Sequence, residues 1–350
     1  MARIHRARRR TALTLLGATL LVAVVIAIVT GPTSISIRHL LSIALDPSGT
    51  GLATDVPSSE HVIFWSLRLP RAVLCALVGA ALGAGGAAAQ GLFRNPLADP
   101  GLVGVSAGAT LGAAICIVLA GPLLATQGPW LRAAALPIAA FVAGAVTTGL
   151  VVRLGGRADR SATATVLLAG VAINAFAGAM VGLLSHIASD AELRNFTFWT
   201  LGGMSGATWS KVALTTPFVA VSIAVLFRHA RSLDVFALGE VDARVTGVDV
   251  TVLRRSVIGA LALGVGAAVS AAGLVGFVGL IVPHLVRLWI GPKHGGLIPA
   301  SALAGGALVV IADSLARTLA APTELPVGLL TASVGAPFFL HLLRREVKRP

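Results

Sequence analysis

Long apolar runs broken by short polar knots fill this chain, and the lengths of the runs set its class. Residues Ala72 to Phe93 include one polar side chain, Gln90, and no charge before Arg94. A helix of that length crosses a hydrocarbon layer of ~30 Å. Similar runs predict ten spans: Thr11 to Val29, Pro70 to Phe93, Leu102 to Leu119, Ala133 to Val152, Ala164 to Ile187, Val212 to Phe227, Ser256 to Leu274, Val275 to Ile290, Leu297 to Leu319 and Val327 to Leu343. The seventh and eighth are one continuous apolar stretch, divided at Gly273, Gly276 and Gly279. The expected fold class is all-α: a polytopic integral membrane protein with ten transmembrane helices, forming a single domain over residues 1–350.

The interruptions carry as much information as the runs. Ser34 to Leu45 places Ile37, Leu40, Leu41, Ala44 and Leu45 opposite Arg38, His39 and Ser42, the pattern of a helix lying in an interface. Asn95-Pro96-Leu97-Ala98-Asp99-Pro100 forbids continuous helix at both prolines, with Asn95 and Asp99 available to satisfy the freed carbonyls. Pro283-His284 reads as a second break. Between the sixth and seventh spans, residues 232–250 read as two stub helices. Ser232 caps the first, which stops at Gly239; Glu240 and Asp242 favour the first turn of the second, which ends near Gly247. Rows of small residues, Gly79 and Gly83, then Gly104, Gly108 and Gly112, then Gly178 and Gly182, predict close helix packing.

Composition agrees with a membrane protein. Of 350 residues, 56% are hydrophobic and 12% charged, and the mean hydropathy is +0.90. The formal net charge of +13 is dispersed at the ends of apolar runs without aromatic interleaving, which argues for a membrane-lipid setting and against nucleic-acid binding. With ten spans, 20 of the 27 Lys and Arg fall on the side of the N-terminus, so both termini are expected in the cytoplasm. Met1 to Val29 reads as a retained first span. Cys75 and Cys116 lie inside apolar runs as packing residues. Arg68, Arg71 and Arg317, at the outer ends of the second and ninth spans, form a positive outer face suited to an acidic partner, with Asp313 and Glu324 as local alternatives for pairing. Within the spans Asn174 is either interhelical glue or part of a pathway. A GxxxxGK[ST] phosphate loop is absent, so the energy comes from another chain or a gradient. A gradient-driven transporter calls for inverted repeats and mid-membrane acids, and a membrane enzyme for a polar cluster at one interface; the sequence offers neither.

Five motifs carry a family resemblance: Arg68-Leu69-Pro70-Arg71, the Asn95 to Pro100 knot, Leu238-Gly239-Glu240, Gly276-Phe277-Val278-Gly279-Leu280 with Pro283-His284, and Glu324-Leu325-Pro326-Val327-Gly328 followed by Gly335-Ala336-Pro337. Over nearly its whole length the chain resembles the permease subunit of bacterial type II ABC importers, which bring in ferric siderophores, vitamin B12 and haem. The resemblance implies a homodimer in the bacterial inner (cytoplasmic) membrane, two ATP-binding subunits below it and a periplasmic substrate-binding protein above. It implies no catalytic residue, no metal site and no permanent cofactor in this chain, with ATP and magnesium held by the partner ATPase. By position, Arg68, Arg71 and Arg317 resemble the arginines that dock the binding protein. Leu238, Gly239, Glu240, Ala243, Arg244 and Gly247 resemble the coupling helices. Asn95 and Leu97 resemble a cytoplasmic gate; Thr163 stands near a second gate but is followed by Ala164 where the family has a hydroxyl. Pro100 to Ser106, Ala172 to Ala175, Asp190 to Arg194 and Phe198 to Gly202 look most like the haem branch. Haem is therefore the expected substrate, with ferric siderophore or vitamin B12 as the alternative cargo; His186, Met180 and Met204 have side chains able to touch haem iron, and a structural role is the expectation for each.

Overall fold

The computed structural model describes residues 2–31, 35–45, 57–155, 162–321 and 323–347, and every regular element among them is helical. The first half comprises α1 (Ala2–Val29), α2 (Ile37–Leu45), α3 (Ser58–Val62), α4 (Leu69–Leu92), α5 (Val105–Ala114), α6 (Gly121–Ala125), α7 (Pro129–Gly155) and α8 (Ala162–Ile187). The second comprises α9 (Asp190–Thr200), α10 (Trp209–Arg228), α11 (Ala230–Phe236), α12 (Glu240–Val245), α13 (Val250–Ala272), α14 (Val278–Ile290), α15 (His294–Leu319) and α16 (Val327–Val347). A π-helical stretch, Ile63–Arg68, joins α3 to α4; another, Ile115–Leu119, prolongs α5.

Seven helical stretches among the described residues are long and apolar enough to cross a membrane. The predicted third and eighth spans are instead shorter apolar helices, Val105–Leu119 and Val278–Ile290, while the predicted tenth lies within α16, apolar over Val327–His341. Ten spans of full length are therefore not what forms, and the causes are local. Asp99 caps a 3₁₀ turn, Pro100–Val103, and Gly104 follows at φ 85°, so α5 cannot begin before Val105. Gly273 at φ 72° ends α13 and Phe277 at φ 66° precedes α14, leaving the five residues between them outside helix. The predicted split at the glycines is thus present, but it takes the first three residues, just under one turn, from the eighth span. Pro283 does not break α14 as expected. Its missing N–H frees the Gly279 carbonyl, against which α4 packs so closely that a Cβ at Gly86 would overlap it.

Helix α4 is the axis of the molecule, touching α1, α10, α13, α14 and α15, and every residue from Ala81 to Leu92 is buried. Small side chains make this possible. A Cβ at Gly79 would collide with the Gly305 carbonyl and one at Gly83 with the Ser301 carbonyl, so α4 and α15 meet backbone to backbone. Gly108 and Gly112 of α5 meet Thr147, Ala139 and Ala143 of α7 in the same way. Gly178 and Gly182 differ: nothing lies within 4 Å of a Cβ at either, and Leu168, Val171, Phe176 and Leu183 of α8 are exposed. Beside the bundle, α2 buries Leu40 and Ile43 against Ile35 and Phe64, while His39 Nδ1 lies 2.8 Å from Glu60 Oε2.

Gly79→Val is expected to push α4 off α15 and lower stability by roughly 1–3 kcal/mol, read as a lower melting temperature of the detergent-solubilised chain. Gly149→Ala, on the open side of α7 where nothing lies within 4 Å, is the matched control. Its expected change is within about 0.5 kcal/mol.

Candidate functional site

Two clusters of charge stand at opposite ends of α4, and the sequence-predicted site residues divide between them. At the N-terminal end, Asp313 of α15 is a buried carboxylate inside an apolar run, and Arg71 wraps it: Nε lies 3.1 and 3.0 Å from its two oxygens and Nη2 2.9 Å from Oδ1. Arg71 also reaches Glu324, with Nη1 at 3.0 Å from Oε1 and Nη2 at 3.0 Å from Oε2. Arg317 Nε stands 3.2 Å from Asp313 Oδ2, the expected i,i+4 pair, and Nη2 donates to the Ala27 carbonyl at 3.0 Å. Arg68 Nη1 donates to the Ile28 and Val29 carbonyls at 2.7 and 3.1 Å. The last carbonyls of a helix lack intrahelical donors and carry the negative end of its dipole, so two guanidinium groups at the end of α1 satisfy both demands.

The three arginines do not stand out on the surface as the sequence implied. Arg68 and Arg317 are buried at 5% and 6% exposure, and only 12% of the Arg71 side chain is accessible. Asp313, a lone acid among apolar neighbours, draws Arg71 and Arg317 inward because an unpaired buried carboxylate is costly, and the carbonyls at the end of α1 hold Arg68 and the far side of Arg317. This bridge between α4 and α15 was legible only as a local pair in the sequence.

At the other end, α11 and α12 form the expected two-stub knob. Gly239 at φ 151° separates them and Gly247 at φ 83° closes the second. Ser232 is not the cap: α11 begins at Ala230, with His229 in the cap position and no side-chain bond there. Glu240 Oε1 accepts from Arg244 at 2.9 Å, and Oε2 lies 3.5 Å from Arg254 of α13, which ties the second stub to the bundle. Ala243 is fully buried and anchors the knob rather than facing outward. Leu238, Val241 and Val245 are exposed at 77%, 74% and 83%. The two valines were missed in the sequence, where an i,i+4 apolar pair on a charged stub was the available signal.

The remaining predicted residues are dispersed. Asn95 is exposed and Leu97 half-buried in the knot. Asn95 Oδ1 accepts from the Leu97 N–H at 2.9 Å and Asp99 Oδ1 from the Gly101 N–H at 2.7 Å, so these side chains receive N–H groups, where the sequence reading had them satisfying carbonyls. Thr163 falls in the first turn of α8, where only the backbone is described. Asn174 turns its Oδ1 inward, close to where a Gly104 Cβ would lie, so the amide faces α5 instead of the open side of α8. Met204 is 1% exposed and out of reach of any cargo, while His186 is exposed. Among the described residues no group of three or more His, Cys, Asp or Glu could hold a metal ion. A cleft of about 550 Å³ between α14, α15 and α16 is lined almost wholly by apolar groups and offers little to orient a polar cargo.

Comparison with known proteins gives the same picture of relationship throughout. Residues 19–345 match the FecCD transport family. The chain is 46% identical over 298 residues to the cobalamin import system permease protein BtuC of Halobacterium salinarum, covering 85% of this chain and 78% of that protein. It is 41% identical over 284 residues to the hemin transport system permease protein HmuU of Yersinia pestis, covering 81% and 84%. Among solved structures, an inward-facing putative metal-chelate type ABC transporter superposes with a TM-score of 0.82 at 27% identity, over 96% of this chain and 99% of that one.

Asp313→Asn would leave Arg71 and Arg317 without their shared carboxylate and is expected to cost about 3–5 kcal/mol. Glu324→Gln, at a carboxylate 38% accessible, is expected to cost under about 1 kcal/mol. Thermal unfolding of the two purified variants checks the difference.

Proposed function

We propose, from the premise that the chain belongs to the FecCD transport family, that it is one half of the membrane pathway of an importer for bulky metal chelates. The family is the non-catalytic permease component of ABC transporters, with ATP hydrolysis in a separate subunit. The observation that carries the reading is the knob, two short stubs presenting Leu238, Val241 and Val245 to water. Exposed apolar side chains on a rigid polar mount mark a protein-binding surface, and here the partner is the ATPase. Residues 232–250 are then the coupling segment, with Leu238, Gly239, Glu240, Arg244 and Gly247 at or near the contact and Ala243 beneath it. Residues 1–350 act as one permease domain.

In this reading the three short apolar helices cross with the seven long ones, giving ten crossings. The charge bias then places both termini in the cytoplasm and the chain in the cytoplasmic membrane. A second copy packs along the side of α8 where Gly178 and Gly182 face open space and Leu168, Val171, Phe176 and Leu183 are exposed. The pathway lies between the copies, with Asn95 and Leu97 at its inner end and Thr163 at the start of α8. A periplasmic binding protein docks at the Arg71–Glu324 edge, where its own acids exchange with Glu324 for Arg71, while Arg68 and Arg317 hold that edge in place.

For the cargo, the haem reading gives way to the wider class. The cobalamin permease of Halobacterium salinarum is more similar than the hemin permease of Yersinia pestis, and the likeness to a metal-chelate transporter points the same way. Cobalamin is the first candidate and ferric siderophore the second. In vesicles holding permease, ATPase and binding protein, we expect ATP-dependent uptake of cobalamin or a ferric siderophore, and little of haem. Uptake of haem alone would restore the narrower reading. Replacing Glu240 and Arg244 together by alanine is expected to lower cargo moved per ATP by roughly 5-fold or more, with ATP hydrolysis persisting. An unchanged ratio would count against the knob as the coupling element.

A further inference from the structure

A basic pocket lies beside the knob, and among the described residues its three cations outnumber the one acid that lines it. Its volume is about 380 Å³, and Arg94, Arg287, Lys293, Gln90 and Asn95 line it together with Asp234. Asp234 is already occupied: its Oδ1 accepts from the His294 N–H at 2.7 Å and lies 2.7 Å from His294 Nδ1. None of the three cations makes an ion pair among the described residues. Arg94 stacks on the Phe236 ring of α11 at 5.8 Å, and Arg287 Nη2 donates to Gln90 Oε1 at 2.9 Å. Gln90 is fixed in turn by its bond to the Leu280 carbonyl at 3.0 Å. Arg287 Nε is buried without a partner. A half-buried guanidinium whose one bond is to a neutral amide keeps a donor and most of its charge uncompensated, an arrangement that favours an anion arriving from outside.

The geometry points to a carboxylate side chain of the ATPase subunit as that anion. Leu238 belongs both to the pocket wall and to the exposed apolar tip of the knob. A protein seated on Leu238 therefore extends over the pocket mouth and brings its own side chains to Arg287, Arg94 and Lys293. The pocket is a second, charged contact beside the apolar one, and it gives the interface register that three apolar tips alone do not supply. The inference rests on the ATPase-driven reading of the knob.

Binding of the ATPase to full-length permease in lipid nanodiscs, measured over about 0.05–0.3 M salt, tests it. Arg287→Gln is expected to raise Kd by about 30-fold or more and to flatten its salt dependence. Arg94→Gln and Lys293→Gln, at exposed positions, are expected to act in the same direction. Leu238→Ala should weaken binding with the salt slope intact. Zero-length carbodiimide coupling should join Lys293 to an ATPase carboxylate, and Lys293→Gln should abolish the product. Equal Kd and slope for wild type and all three charge variants would overturn the pocket while leaving the knob standing. Failure of the wild type to bind ATPase at any salt would overturn both readings. If inorganic phosphate at constant ionic strength binds the free permease through Arg287 while ATPase affinity ignores the variants, the occupant is a soluble oxyanion and the carboxylate assignment fails.

Discussion

Backbone contact between α4 and α15 is the constraint on which the rest of the molecule depends. Lipid tails are as apolar as leucine, so helices in a bilayer gain little from hiding apolar surface, and close van der Waals contact must hold them instead. At Gly79, Gly83 and Gly305 a single methyl group would meet a carbonyl oxygen of the facing helix. That contact fixes α4 as an axis, and the axis sets the distance between charges on its neighbours. Arg71 reaches Asp313 across it at one end, and Gln90 reaches Arg287 and Leu280 at the other.

The two ends use buried charge differently. Around Asp313 the account is closed within the chain: two arginines share one carboxylate, and the third caps the carbonyls of α1. Such a cluster gives geometric specificity more than stability, because desolvation offsets most of the attraction. Around Arg287 the account is open, and three cations face a cavity with one committed acid. A closed cluster fixes a shape, whereas an open one calls for a partner. The exposed apolar tips of the knob at the same end make the same demand in a different chemistry.

Much of this was legible in the sequence because lipid enforces length and polarity so strictly. The long runs, the split near Gly273, the two stubs and the close rows at Gly79 and Gly108 follow from rules about single segments. What escaped depends on two segments at once. Arg68 and Arg317 turn inward because the end of α1 lies beside them, which no periodicity reveals. Gly178 and Gly182 obey the same small-residue pattern as Gly79 and Gly83 yet face open space, since a pattern says that a surface is close-packing without saying what packs on it. The third and eighth spans came out short because φ at Gly104 and Phe277 departs from helix, and a phenylalanine in the left-handed region has no sequence signal.

The central claim is that this chain is a conduit whose work is done by a nucleotide-hydrolysing partner held at the knob. The most direct measurement compares cargo accumulation in sealed proteoliposomes under two conditions. One holds the permease with its ATPase and binding protein, supplied with ATP on the knob side; the other holds the permease alone under an imposed proton or sodium gradient. Accumulation in the first and none in the second is the result expected here. Accumulation by the lone chain driven by the gradient would contradict it.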